Sequence, residues 1–234
     1  MSGLVVRQCA FFFDSSLSSG GKACQGACKD RNDLRTGVHW RRVYEIQGGG
    51  WSKKGSLWVP DVFAYYLSLS CHHCENPPCI PTCTTKAIFK RGDGIVLVDP
   101  QGCIGCRACE YACPYGAYQF EADKNIVTKC DFCLDLLDAG SPPACVSACS
   151  MRALDFGDLA ELRKKYGGTS DVFPLPESKD PQPALVIKPH RDAARATKDT
   201  AEVANWEELS SFLSAIATTS SDNSLEKTRT FGLT

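Results

Sequence analysis

Cysteine carries most of the reactive chemistry visible in this chain: fifteen of its 234 residues are Cys, against four His and two Met. Fourteen fall in four clumps: Cys24 and Cys28; Cys71, Cys74, Cys79 and Cys83; Cys103, Cys106, Cys109 and Cys113; and Cys130, Cys133, Cys145 and Cys149. Cys9 stands alone. The third clump reads CIGCRACEYACP, with two-residue gaps twice, then a three-residue gap, then Pro114. Three thiolates on so tight a loop can each take one iron corner of a cubane cluster, while the fourth, expected to start a helix and followed by Pro, points toward a second cube.

The second clump, CHHCENPPCIPTC, supplies the partner, its middle gap widened by Asn76, Pro77 and Pro78 and its closing proline replaced by Thr84. Crossed ligation gives one 4Fe-4S site on Cys71, Cys74, Cys79 and Cys113, and another on Cys103, Cys106, Cys109 and Cys83. In the last clump the second gap grows to the stretch Leu134 to Ala144. That clump needs a first clump to cross with, and the candidate is DSSLSSGGKACQGACKD. Counting back from Cys24 by two-residue gaps lands on Gly21 and Ser18, so two thiolates are missing there.

Other uses of so many thiols fit less well. Zinc on paired Cys-x-x-Cys units, with His72 and His73 adding nitrogen, does not require four close cysteines ending in Cys-Pro. The two histidines are expected as loop residues, and Cys9 as a buried free thiol ahead of a strand. A disulfide framework calls for an oxidising compartment. The N-terminal MSGLVVRQCAFFFD has neither a secretory pattern nor an export motif, and no stretch is long and apolar enough to span a bilayer. The expectation is a cytoplasmic or membrane-peripheral chain, with export on a partner's signal still compatible. A formal net charge of -1 gives no reason to expect nucleic acid. No nucleophile and base pair, phosphate loop or nucleotide fingerprint is found, so no catalytic residue is assigned, and Gly48 to Gly50 reads as a turn.

Short elements must hold these loops. Strand-like runs occur at Ala10 to Asp14, at Val38 to Ile46 and at Ile95 to Val98. Lys90 to Gly94 reads as a hairpin turn, and Glu121 to Asn125 as a second one between Tyr118 to Phe120 and Ile126 to Thr128. Asp158 is a good N-cap for a helix over Leu159 to Tyr166, closed by Gly167 and Gly168. Residues Val172 to Pro189 are proline-rich and read as an extended strap over a surface. Glu202 to Ile216 places Val203, Trp206, Leu209, Phe212, Leu213 and Ile216 on one helical face.

These four motifs, their order, and the segments FFFDSS, RNDL, VHWRRVYE, CENPPC, GIVLVD, CDFC and MRALDFGD resemble the four-cluster iron-sulfur subunit of the dimethyl sulfoxide reductase family of molybdopterin oxidoreductases. The resemblance covers roughly residues 10–190. It implies an α+β fold of two interleaved two-cluster ferredoxin-like modules with short hairpins and helices, plus an extended C-terminal strap. The modules would be residues 1–60 with 118–168, and residues 61–117, leaving 169–234 as strap and tail.

The resemblance further implies electron relay between a large molybdenum or tungsten molybdopterin catalytic subunit and a redox partner, often through a membrane anchor subunit. Carried over residue by residue, it joins Cys130, Cys133 and Cys145 with Cys28 in a third 4Fe-4S site. The fourth would use Ser18, Gly21, Cys24 and Cys149, of which two are thiols. Three 4Fe-4S clusters are therefore expected, with a fourth site empty or altered. A three-iron cluster on Ser18, Cys24 and Cys149 would need an alkoxide, a poor match to soft iron-sulfur chemistry. A free polyferredoxin carrier is the alternative, against which the strap and the tail argue; a zinc-stabilised binding module is the third reading.

Overall fold

The computed structural model describes residues 8–205. In chain order the elements are β1 (Cys9–Asp14), α1 (Ala23–Arg31), β2 (Arg42–Gly48), β3 (Trp51–Lys54), β4 (Leu57–Pro60), β5 (Phe63–Leu69), α2 (Cys79–Thr82), β6 (Ile88–Lys90), β7 (Val96–Val98), α3 (Ala108–Ala112), β8 (Gln119–Glu121), β9 (Ile126–Thr128), α4 (Leu134–Asp138), α5 (Ala144–Ser147), β10 (Leu154–Asp158), α6 (Leu159–Tyr166), β11 (Leu185–Lys188) and β12 (Ala201–Val203). The fold is a small mixed α/β one in which short elements frame long cysteine-bearing loops.

In β1 the run Ala10 to Phe13 is apolar at consecutive rather than alternate positions, as a strand covered on both faces must be. β1 is the centre of a three-stranded sheet, antiparallel to β10 and parallel to β11. One face, with Ala10, Phe12, Ala184 and Val186, packs on Leu159 and Leu162 of α6. The Phe12 and Tyr166 rings stack there at 3.7 Å. The other face turns Phe11, Phe13, Leu185 and Ile187 into the core that holds the cysteine loops.

The end of the strap corrects the sequence expectation. Leu185, Val186 and Ile187 do not lie over a surface; they are 3%, 2% and 0% exposed beside β1. Three consecutive apolar residues of this kind leave water readily, and their backbone groups are satisfied by the β1 edge. Upstream, the strap binds the second cysteine loop through its main chain: Glu75 and Asn76 donate to the Gln182 and Pro181 carbonyls at 2.8 and 3.1 Å, and Ala184 donates to the His72 carbonyl at 3.0 Å.

A second sheet places β2 between β12 and β5. The expected strand at Val38 begins only at Arg42, and the four residues before it form a loop. The tail helix expected from Glu202 is not formed at its start, because Ala201–Val203 pair with Gly48 to Ile46 as an edge strand. Asn205 completes that edge, accepting from the Glu45 amide at 2.9 Å and donating to the Val43 carbonyl at 2.8 Å. An open strand edge offers backbone groups that a following segment can satisfy. The rest of that expected helix, from Trp206, lies outside the described residues.

The two expected hairpins are both present, β6 with β7 and β8 with β9, in antiparallel register. The expected helix over Leu159 to Tyr166 forms with those bounds, its Asp158 side chain accepting from the Ala160 and Glu161 amides. A third hairpin, β3 with β4, stands out from the body with Trp51 and Trp58 65% and 64% exposed. Two glycines of the run that leads into it, Gly48 and Gly49, are required there. Gly49 has φ +80°, and a Cβ on it would collide with the Asp61 carbonyl.

Candidate metal centres

Each cysteine loop is followed by a short helix that sets two thiols one turn apart on one face. Cys24 and Cys28 are the buried residues of α1, while Cys145 lies within α5 and Cys149 two residues past its end. Cys79 opens α2, which Cys83 ends, and Cys109 lies in α3, which Cys113 ends. α1 packs against α5, and α2 against α3. First and last motifs therefore meet, as do second and third.

The loops share a backbone device that the spacing alone does not reveal. The residue before the second ligand position is left-handed in all four: Gly20 (φ 70°), His73 (43°), Gly105 (68°) and Phe132 (67°). Such turns aim successive backbone amides into a concavity that suits an anion. The conformation is uncommon for His and Phe. Burial holds them in it, with the two rings edge to face at 5.3 Å. The loop from Ser18 to Gly21 keeps this turn although it has lost both thiols.

All fifteen cysteines are free. Amides point at several sulfurs: Ala117 at Cys113 (3.5 Å), Ala153 at Cys149 (3.2 Å), Phe132 at Cys130 (3.4 Å) and Val127 at Cys103 (3.5 Å). Burial, with neighbouring sulfurs adding to it, pushes the thiols of Cys28, Cys109 and Cys113 up to about 12. As bare thiols they would stay protonated near neutrality, whereas a bound metal removes the proton outright. Buried thiols with amides aimed at sulfur fit a soft, anionic iron-sulfur group.

The sulfurs that act on one another fall into sets. Cys28 feels Cys145 and Cys133, and Cys130 feels Cys28 and Cys145. Cys74 feels Cys71, Cys113 and Cys79, and Cys113 feels Cys71 and Cys79. Cys109 feels Cys103, Cys79 and Cys106. Cys83 ends α2, which packs on α3, and its thiol is held below the usual range by Thr85, Ile88 and Ala87 in spite of burial. Among the described residues no three His, Cys, Asp or Glu side chains close on one point as they would around a single ion. The irons of a cube sit at separate corners, each needing one thiolate.

The fourth loop differs. A cavity of about 40 Å³ is lined by Ser18, Gly21, Cys24, Ser68, Cys149 and Met151, among others. Of its two thiols, Cys24 Sγ lies 3.3 Å from Ser68 Oγ, and Cys149 takes the Ala153 amide as Cys113 takes that of Ala117. Ser18 Oγ accepts from the Gly20 amide at 3.5 Å. With two of four thiolates lost, these residues do not fit a four-iron cluster.

Over residues 62–159 the sequence matches the 4Fe-4S dicluster domain family. It is 48% identical over 205 residues to the B subunit of anaerobic dimethyl sulfoxide reductase of Escherichia coli (strain K12), covering 88% of this protein and 100% of that relative. The protein belongs to the family of dimethyl sulfoxide reductase B subunits. The corresponding subunit from Haemophilus influenzae is 47% identical over 196 residues (83% of this protein, 95% of the relative). The B subunit of polysulfide reductase of Wolinella succinogenes is 35% identical over 191 residues (80% and 97%). As a member of this family the protein is an iron-sulfur electron-transfer subunit and not the catalytic subunit of its reductase. No helix among the described residues is long and apolar enough to cross a membrane.

Of the residues that shape the centres, Lys129 and Arg41 were not singled out from sequence, and the histidines were expected only as loop residues. His72 and His73, expected as loop residues, are buried wedges 3% and 1% exposed: His72 lies against Tyr115 at 4.2 Å, and His73 Nδ1 accepts from the Val96 amide at 3.0 Å. Burial keeps both imidazoles neutral, the pKa of His72 falling to about 3. Lys129 is buried with Nζ donating to the Val96 and Cys130 carbonyls. Arg41 is buried beside Cys145, Cys24, Cys130 and Cys28. The Arg pair in VHWRRVYE was the available signal, but an expected strand there gave it no special place. Cys9, expected as buried, is half-buried at the start of β1; burial lifts its thiol to about 11.

Proposed function

We propose that the subunit carries three 4Fe-4S clusters, on Cys71, Cys74, Cys79 and Cys113, on Cys103, Cys106, Cys109 and Cys83, and on Cys130, Cys133, Cys145 and Cys28. The fourth position, at Ser18, Cys24 and Cys149, holds no four-iron cluster. When bound, such clusters supply one-electron transfer with little motion of the protein. The observation that carries the reading is the crossed approach of the motifs: α1, with Cys28, packs on α5, with Cys145, and α2, with Cys79, packs on α3, which Cys113 ends.

On this reading residues 1–60 with 118–168 form one ferredoxin-like module and residues 61–117 the other. The packing of α1 on α5 and of α2 on α3 supports that division. Residues 169–205, the described part of the remaining segment 169–234, strap the two together, which is supported by the bonds of residues 181–184 to the His72–Asn76 loop and of β11 to β1. The partner is a large molybdopterin catalytic subunit holding molybdenum or tungsten, with a membrane anchor subunit as the further redox partner. Relatives named as B subunits of dimethyl sulfoxide and polysulfide reductases support this. The second set stands nearest solvent, with Cys106, Ile104 and Tyr111 exposed, which suits hand-over to another subunit.

The test is iron and acid-labile sulfide per subunit in anaerobically purified complex, with electron paramagnetic resonance of oxidised and reduced samples. The expected result is about twelve irons per subunit, three reduced-state signals, and co-eluting molybdenum or tungsten. About sixteen irons, or zinc in place of iron, overturns the cluster assignment. Recovery of the subunit alone in a functional state overturns the assignment of the partner.

A further inference from the structure

Arg41 is a buried cation whose partners are all neutral. It is 2% exposed. Its guanidinium donates to the Ser68 carbonyl (3.2 Å), Ser68 Oγ (3.3 Å) and Ser70 Oγ (3.0 Å), and lies over the Phe11 ring at 4.5 Å. Among the described residues no carboxylate pairs with it. Several other buried charges are matched, Glu110 with Arg107, Glu121 with Lys124 and Asp14 with Lys188, while the buried Lys129 donates, like Arg41, to neutral groups, the Val96 and Cys130 carbonyls. An arginine does not escape burial by losing its proton, so an anion must compensate it.

The anions available are sulfurs. Cys145, Cys24, Cys130 and Cys28 are the sulfurs within electrostatic reach of its guanidinium. Three of these belong to the third set, and the Arg41 backbone amide also sits against the Cys28 sulfur. The remaining one, Cys24, lines the cavity with two missing thiols and meets Arg41 through Ser68 Oγ. In a protein with four full sets this cation would lie between two anionic groups. Here only one of the two is complete.

We propose that Arg41 is the resident counter-charge of the third set alone and raises the reduction potential of the cluster held by Cys28, Cys130, Cys133 and Cys145 selectively. This rests on the three-cluster reading above. A fixed positive charge favours the more negative, reduced state of a group beside it, and net charge and hydrogen bonding are among the factors that set iron-sulfur potentials. Arg41 is a tuning residue. It takes no part in bond making.

The experiment is a redox titration followed by electron paramagnetic resonance on the intact complex, comparing the parent with Arg41→Met and Arg41→Lys. The third-set signal is the one that Cys133→Ala removes. Arg41→Met is expected to shift the reduction equilibrium of that signal at least tenfold toward the oxidised form, which is about 59 mV for one electron. The other two signals should stay in place, and Arg41→Lys should remain near the parent. Equal potentials in parent and Arg41→Met, or the same shift in all three signals, overturns the proposal. Should Arg41→Met lose the third signal, retention of that signal in Arg41→Lys at the parent potential supports a counter-charge. Its loss in both variants reduces Arg41 to a packing residue and overturns the proposal. A parent without three signals would instead sink the cluster reading itself.

Discussion

Arg41 and Asp14 are both buried charges, and they are compensated in different ways. Asp14, at the end of β1, accepts from the Ser16 amide at 2.9 Å and from the Ser16 hydroxyl, and takes Lys188 Nζ at 2.9 Å. Burial would raise its carboxyl, but the bonds from Ser16 and Lys188 outweigh burial and hold it below its ordinary 3.8. A carboxyl depressed in the fold contributes its full stability above the unfolded pKa and loses it as pH falls through the folded value. Lys188 is half exposed, so its contribution is screened. Asp14→Asn is expected to lower unfolding stability by about 1 kcal/mol. In urea titrations the gap to the parent should be the same at pH 7 and pH 5 and shrink once pH falls below about 3.8. Equal stability of the two proteins at pH 7 would show that the pair contributes nothing.

At the scale of elements, the helices that carry thiols are too short to be stable alone and depend on packing. α6 is different: its Asp158 cap and its closing Gly167, at φ 63°, are both local signals. It covers the face of β1 turned away from the cysteine loops. Asp158→Ala removes the acceptor for the Ala160 and Glu161 amides and should cost about 1 kcal/mol. For a protein of this size that is a fall of about 2 to 4 °C in Tm. Iron content should be unchanged. A melt followed by far-ultraviolet circular dichroism, with iron analysis of the same sample, checks both parts, and a loss of iron at unchanged Tm would contradict them.

At the scale of the whole molecule, the segment around β11 joins parts of the chain that are far apart in sequence. β11 adds the buried Leu185, Val186 and Ile187 to the β1 sheet, and the residues just before it bind the second cysteine loop. Burying three such side chains contributes roughly 5 kcal/mol or more. That is comparable to the whole stability of many domains, about 5 to 15 kcal/mol. A variant truncated before Ala184 is therefore expected to lose solubility and most of its iron. Full iron and an unchanged melt in that variant would return the strap to the surface role that its prolines suggested.

The cysteine spacing by itself pointed to 4Fe-4S chemistry, which the match to the 4Fe-4S dicluster domain bears out, because fixed short gaps on a tight loop suit the corners of a cube. The two small hairpins and α6 were legible for the same reason: turn residues, Asp158 and Gly167 act within a few residues of where they stand. Only the tertiary structure decided what depends on distant segments. The strap's apolar end became a core strand because β1 had an open edge. Glu202 and Val203 joined β2 rather than starting a helix. Arg41 took its place beside four sulfurs drawn from Cys24, Cys28, Cys130 and Cys145, positions up to about a hundred residues away in sequence. Local signals could not announce that placement, since the compensation of a buried charge depends on which segments fold back around it.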